Sequence, residues 1–267
     1  MTNAKFLYVG TKNYFTNLEI LKHNLKNLNI NFEFEFTDCY PEKLNTHFDG
    51  IRLAEPFQNI AFQKKISKVN TLISRIGIVD FIYQKNLNWW PSLILKEALH
   101  LAIVHKHQNL SSRERALIIG VSIDSKIAFD VLVLMGFKSF TIVGESQEEA
   151  NEFKSSVQTK YFSLDIEAIS SDKVILLPGV HSIVVNTWNL NKKSDLLTDL
   201  LYFNYLKGKG LVLHFYSDDE KDPLISEANA IQEKTISRLD LLIFKEIAAL
   251  RYIIDIDESK LKSLSIL

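Results

Sequence analysis

Cysteine is almost absent from this 267-residue chain: Cys39 stands alone, which excludes an internal disulfide and any multi-cysteine metal site. An excess of charge is missing too. Lysine and arginine number 31 against 32 aspartates and glutamates, a formal net charge of -1, so there is no basic surplus to hold a phosphate backbone and nucleic acid is not an expected partner. No run reaches the roughly 18 apolar residues of a membrane span, and the opening MTNAKFLYVGTKNYF has no cationic stretch followed by a long apolar one. The expectation is a soluble, cytoplasmic protein with no membrane partner. The patterns G-x-S-x-G, G-x-x-x-x-G-K and H-E-x-x-H do not occur. His100, His105 and His107 lie close together, yet no Asp, Glu or Cys completes a ligand set there, and His181 and His214 stand singly, so no metal is expected.

What the chain does have is the length and the 46% hydrophobic content for a sizeable core. KFLYVG reads as a buried strand, LEILKHNLKNLN places Leu18, Leu21, Leu25 and Leu28 at helical spacing, and NFEFEF alternates as a half-buried strand does. That sequence is a βαβ opening. From Ala116 onward, ALIIG, SFTIV, KVILL, HSIVVNT and GLVLHFY read as apolar strands separated by segments such as SQEEANEFKSSV, the pattern of a parallel sheet covered on both faces. The apolar helix within WPSLILKEALHLAIVHKHQNLSSRER connects the two regions, and ISRLDLLIFKEIAALRYIIDI reads as a final helix that docks on a domain. The fold class is therefore α/β with two domains. The first is expected over 1–104 together with about 238–267, and the second over 105–237.

Six segments, in order over nearly the whole chain, resemble the shikimate dehydrogenases, two-domain enzymes that reduce 3-dehydroshikimate with NADPH. FDGIRLAEPFQ is similar to the family's F-x-G-x-N-V-T-x-P-x-K, keeping Phe48, Gly50 and Pro56, and VNTL at 69–72 matches its V-N-T-L. YQKNLNWW sits where the family carries G-D-N-T-D-G, and HSIVVNTWNL resembles its I-V-I-N-A-T-P-L. DPLISEA resembles T-P-L-L-x-x-A, and LDLLIFKEIAAL resembles the closing G-x-x-M-L-V-x-Q-A-A helix. The resemblance implies an N-terminal substrate-type domain, a C-terminal Rossmann-like NAD(P)-binding-type domain, and a last helix that returns to the first.

It also implies a chemistry that this chain lacks. The family uses a lysine and aspartate pair for proton transfer to the reacting carbonyl, and on the motifs above these positions hold Gln58 and Asn88. Amides can hydrogen-bond but cannot exchange a proton near neutral pH. Phe15 and Asn17 stand at the substrate serines, Ala54 at the threonine and Lys245 at the late glutamine. The substrate-cleft candidates are then Asn17, Asn70, Lys85, Asn86 and Lys245. Asn70 is either a substrate ligand or a backbone-turning residue, and the two lysines offer charge for a different acid. Trp89 and Trp90 replace a glycine turn, where they fill the cleft, line a new pocket or pack between domains.

In the cofactor turn only Gly120 remains of the glycines that let amides approach a pyrophosphate, followed by Val121, Ser122, Ile123 and Asp124. Ile123 and Asp124 are expected to crowd the phosphate site, Asp124 as the N-cap of the following helix. Glu145 stands where the family's N-R-T supplies arginine to the 2′-phosphate of NADP, and would repel it while accepting a bond from the ribose of NAD. Gly120, Ser122 and Glu145 are thus a degenerate cofactor set, with NAD(P) implied by resemblance and disfavoured by Ile123, Asp124 and Glu145. The sequence reads as a shikimate-dehydrogenase-like pseudoenzyme that binds a small molecule or a protein partner, a second copy as homodimer included. The rival is an active oxidoreductase of altered substrate and cofactor specificity.

Overall fold

The computed structural model describes residues 2–10, 18–27, 29–44, 47–54, 57–59, 71–190, 195–216 and 222–254. The chain divides into two compact units, Met1–Ala98 with Leu242–Leu267, and Leu99–Leu241.

The first unit opens with β1 (Thr2–Val9), α1 (Leu18–Asn27) and β2 (Ile30–Thr37), the expected βαβ start. β3 (Gly50–Leu53), α2 (Thr71–Ile76), β4 (Phe81–Lys85) and β5 (Asn88–Ser92) follow. The sheet order is β2-β1-β3-β4-β5. β1, β2 and β3 run parallel, whereas β4 is antiparallel to β3, and β5 to β4. Alternation in β2 buries Phe32, and the rings of Phe32, Phe34 and Phe36 line one face with centroids 5.6 Å apart. Gly50 is required by packing, since a β-carbon there would lie 2.7 Å from the Phe81 ring.

YQKNLNWW, expected to replace a glycine turn, is instead a two-residue hairpin. Lys85 pairs with Asn88, and Asn86 and Leu87 both take left-handed φ, 52° and 62°, as the right-handed twist of the flanking strands demands. Trp89 and Trp90 are accordingly strand residues, opposite Gln84 and Tyr83.

The second unit follows α3 (Ile94–Lys106) and alternates β6 (Arg115–Ile119), α4 (Ile123–Leu134), β7 (Ser139–Gly144), α5 (Gln147–Gln158) and β8 (Asp165–Ser170). A 3-10 turn, Ser171–Leu176, leads to β9 (His181–Asn186), α6 (Asp195–Leu200), β10 (Leu206–His214), α7 (Pro223–Ala230), β11 (Lys234–Ile236) and α8 (Arg238–Ile253). All six strands are parallel, in the order β11-β10-β9-β6-β7-β8. This is the doubly wound Rossmann order, with its topological switch between β6 and β9. Ala116 to Ile119 are wholly buried, as a strand covered on both faces must be.

KVILL, read above as a strand, lies in the 3-10 turn, and the strand is the preceding DIEAIS. A short apolar run carries no period that separates these outcomes. Val174 and Leu177 enter the core beside Leu197 and Tyr205, while Leu176 stays 78% exposed.

His181, at the start of β9, is buried, with Nδ1 2.8 Å from the Tyr205 carbonyl and Nε2 2.9 Å from Thr141 Oγ1. One neutral tautomer satisfies both, Nδ1 donating to the carbonyl and Nε2 accepting from the hydroxyl. Burial lowers its pKa below the ordinary 6.5 against the opposing pull of the Tyr205 carbonyl. The unfolded chain therefore binds this proton more readily. His181 contributes stability in full above about pH 6.5 that is lost as pH falls toward its folded value. Denaturant unfolding at pH 7.5 and 5.5 is expected to show that loss, and His181→Gln to flatten the dependence over this interval.

Candidate functional site

In the first unit the side chains that matter converge on the sheet face carrying Tyr8, Arg52 and Phe81, which stand in register on β1, β3 and β4. Arg52 is only 2% exposed. Its Nε and Nη2 donate to Glu246 Oε1 at 3.2 and 3.1 Å, Nη1 donates to the Asp80 carbonyl at 2.7 Å, and Tyr8 donates to Glu246 Oε2 at 2.6 Å. Burial disfavours the guanidinium charge, but Glu246 and Asp80 outweigh it and hold its pKa above the ordinary value. Burial, reinforced by the Glu246 charge, keeps the Tyr8 phenol protonated well beyond its usual range. The Asp80 carboxylate, itself buried, caps α3 through the amides of Ile94 and Leu95 at 2.6 and 3.0 Å.

The sequence-predicted pair is not brought together. Gln58 follows the carboxyl end of β3, where its carbonyl accepts from Val79 N–H at 3.2 Å and its amide donates to the Leu53 carbonyl at 3.1 Å. Asn88 lies beyond the other end of β3, because β4 runs antiparallel and the hairpin follows Lys85. Four strand residues, roughly 13 Å, separate Lys85 from the level of Arg52. Lys85, Asn86 and Asn88 are thus exposed residues of a hairpin tip, the Asn88 amide donating to the Asn86 carbonyl at 3.0 Å. A residue facing Gln58 from this hairpin has to come from the other end of β5, at Pro91 and Ser92, where the Ser92 hydroxyl donates to Tyr252 at 2.8 Å. Phe15, Asn17 and Asn70 lie outside the described residues.

Lys245 is half-buried, and its neighbour Glu246 is the residue that α8 turns onto the sheet. Sequence reasoning missed Arg52 and Glu246 because isolated charges read as surface. The available signal was an arginine inside the apolar run GIRLA.

In the second unit the carboxyl ends of β6 and β9 meet at Gly120, Thr187 and Trp188. Gly120 has φ 103°, and a β-carbon there would lie 2.4 Å from Thr187 Oγ1 and 3.1 Å from the Trp188 ring. The absent side chain is what admits this internal contact. Thr187 Oγ1 donates to the Ile119 carbonyl at 2.9 Å and lies 2.6 Å from Ser125 Oγ. Ser122, not Asp124, is the N-cap of α4. Its hydroxyl accepts from Ser125 N–H at 3.2 Å and Ser125 Oγ accepts from Ser122 N–H at 3.1 Å, a reciprocal box that starts the helix two residues before Asp124. Asp124 sits in the first turn, where the helix dipole favours its charge, within 3.4 Å of the Tyr216 hydroxyl. Ile123 remains 42% exposed, so the crowding beside Gly120 comes from Thr187 and Trp188.

Glu145 follows β7 and is exposed, its N–H donating to Glu149 Oε2 at 2.6 Å. At the end of β10, His214 has Nδ1 3.2 Å from Asp222 Oδ1 and Nε2 3.3 Å from the Trp188 carbonyl. A neutral ring can donate to only one of these acceptors, an imidazolium to both. Burial pushes the Asp222 carboxyl up, but His214 and the amides of Ile225 and Leu224 more than offset this and hold it below its ordinary range. Among the described residues no group of three or more His, Cys, Asp or Glu is placed to hold a metal, and no helix is long and apolar enough to cross a membrane.

No family model and no curated protein matches this sequence. Solved structures do. The dehydroquinate dehydratase and shikimate dehydrogenase of S. pombe aligns with TM-score 0.78 and 16% identity over 99% of this chain, which spans about half (53%) of that protein. Quinate dehydrogenase from Corynebacterium glutamicum, in complex with NAD, aligns at 0.74 and 11% identity over 99% of both chains. Shikimate 5-dehydrogenase from Thermus thermophilus, in complex with NADP(H) and shikimate, aligns at 0.70 and 17% over 98% of both.

Two substitutions test these placements by denaturant unfolding. Glu246→Ala strands the buried Arg52 charge and is expected to cost about 3–5 kcal/mol. Gly120→Ala combines left-handed strain with the close approach of Thr187 and is expected to cost roughly 2–4 kcal/mol.

Proposed function

With the shikimate dehydrogenase fold as premise, we propose that this chain is a divergent, non-catalytic protein of that fold, which has lost NADP-dependent shikimate dehydrogenation and acts by binding a small molecule or a protein partner. The observation that carries this reading is the contact at Gly120. A dinucleotide needs backbone amides open to its pyrophosphate at the start of α4. Here the glycine is backed by Thr187 and Trp188, the Ser125 amide is taken by the Ser122 hydroxyl, and Asp124 adds negative charge to the same turn. These residues do not fit the group. Gln58 supports the same reading, since its amide donates to the Leu53 carbonyl and is far too weak an acid to protonate a ketone. A cytoplasmic setting accords with a single, unpaired Cys39.

One observation favours the rival, an active oxidoreductase of altered specificity. The Glu145 side chain is exposed at the end of β7, and no hydrogen bond to its carboxylate occurs among the described residues. That is where an acid receives the ribose hydroxyls of NAD.

A thermal-shift titration with NAD(H), NADP(H) and shikimate separates the two. A ligand at about 100 times its dissociation constant stabilises the native state by roughly 2.7 kcal/mol. The expected result is no shift with any of them. A rise with NAD(H) that Glu145→Gln abolishes establishes the rival.

A further inference from the structure

The parallel sheet of the second unit has a second end. Gly120 lies beyond the carboxyl end of β6, and a strand advances about 3.3 Å per residue, which puts the amino end at Arg115 roughly 16 Å away. There Arg115 of β6 stands opposite Ser139 of β7 and His181 of β9, and Leu206 of β10 stands opposite His181. An open cavity of about 440 Å³ lies at this end, lined by residues from the starts of all four strands.

Several donors in the lining are unused. The exposed Arg113, just before β6, makes no ion pair or hydrogen bond among the described residues. The Ser139 hydroxyl and the Gly179 N–H have no hydrogen-bond partner among them either. Two further cations are already engaged. Arg115 donates through Nη1 to the Phe140 carbonyl at 2.9 Å and through Nη2 to Asp165, with Glu167 3.9 Å from Nη1, and Lys207 pairs with Glu114. Asp165 and Glu167 belong to β8, outside the lining, so Glu114 is the one acid there against three cations.

We propose that this cavity binds a small phosphate monoester. An excess of cations over acids selects an anion. A phosphate is selected over a carboxylate because it carries close to two charges at neutral pH and offers three acceptor oxygens in different directions. Those suit a guanidinium fork, a hydroxyl and a backbone amide that come from three different strand starts. The volume leaves room for an organic part the size of a sugar, and the exposed Val180 gives it an apolar wall. The site is separate from the turn at Gly120 and goes beyond the reading made there.

The test is calorimetric titration at pH 7.5 and low ionic strength with inorganic phosphate, glucose 6-phosphate, glucose and succinate. Glucose 6-phosphate is expected to bind saturably and more tightly than inorganic phosphate, with glucose silent. R113A is expected to weaken glucose 6-phosphate by about tenfold or more while leaving the unfolding midpoint of the free protein unchanged, and R113K, which keeps the charge without the fork, to fall between. S139A is expected to weaken the same ligand by a smaller factor. Silence toward both phosphates overturns this inference and leaves the reading at Gly120 standing. Binding that R113A does not weaken overturns it too, as does succinate binding more tightly than glucose 6-phosphate.

Discussion

The guanidinium of Arg52 lies on an apolar sheet face, and taking such a charge out of water costs several kcal/mol unless a partner and its hydrogen bonds come with it. Glu246 is that partner, and it comes from 194 residues further along the chain. This single requirement ties the end of the sequence to its beginning. The first unit is consequently assembled from two stretches of chain, with the whole doubly wound unit inserted between them. Tyr8 and the Asp80 carbonyl complete the set, so that β1, β3, the turn before β4 and α8 all meet at one charge.

In the second unit the residues that resemble the shikimate dehydrogenase pattern serve internal packing. Gly120 admits a tryptophan, and Asn186, the asparagine of the I-V-I-N segment, holds that tryptophan's peptide from both sides. Ser122 and Ser125 satisfy the start of α4 from within. The atoms of such a motif can thus be engaged by internal neighbours, and a matched glycine is by itself no measure of cofactor binding.

The fold was legible in the sequence wherever burial imposed a period. Alternation in NFEFEF, the helical spacing of Leu18, Leu21 and Leu25, and the unbroken apolar run ALII each admit one reading. KVILL did not, since four apolar residues in a row fit a strand or a turn equally, and the core accepted only Val174 and Leu177 from that region. Site geometry was less legible. Motif order placed Gln58 and Asn88 as a pair, but it carries no information on strand direction, and the antiparallel β4 put them at opposite ends of β3. The contact of Trp188 with Gly120 joins two strand ends that are neighbours only through the crossover topology, which no local pattern states.

The discontinuity of the first unit also sets an order of events during synthesis. A ribosome adding about 5–20 residues per second delivers Glu246 roughly 10–40 s after Arg52. The second unit is contiguous and nearly all of it is made in that interval, its last strand β11 ending shortly before Glu246, while the first holds an arginine whose counter-charge does not yet exist. The nascent sheet of β1, β3 and β4 therefore waits, open along the face from which Glu246 of α8 reaches Arg52.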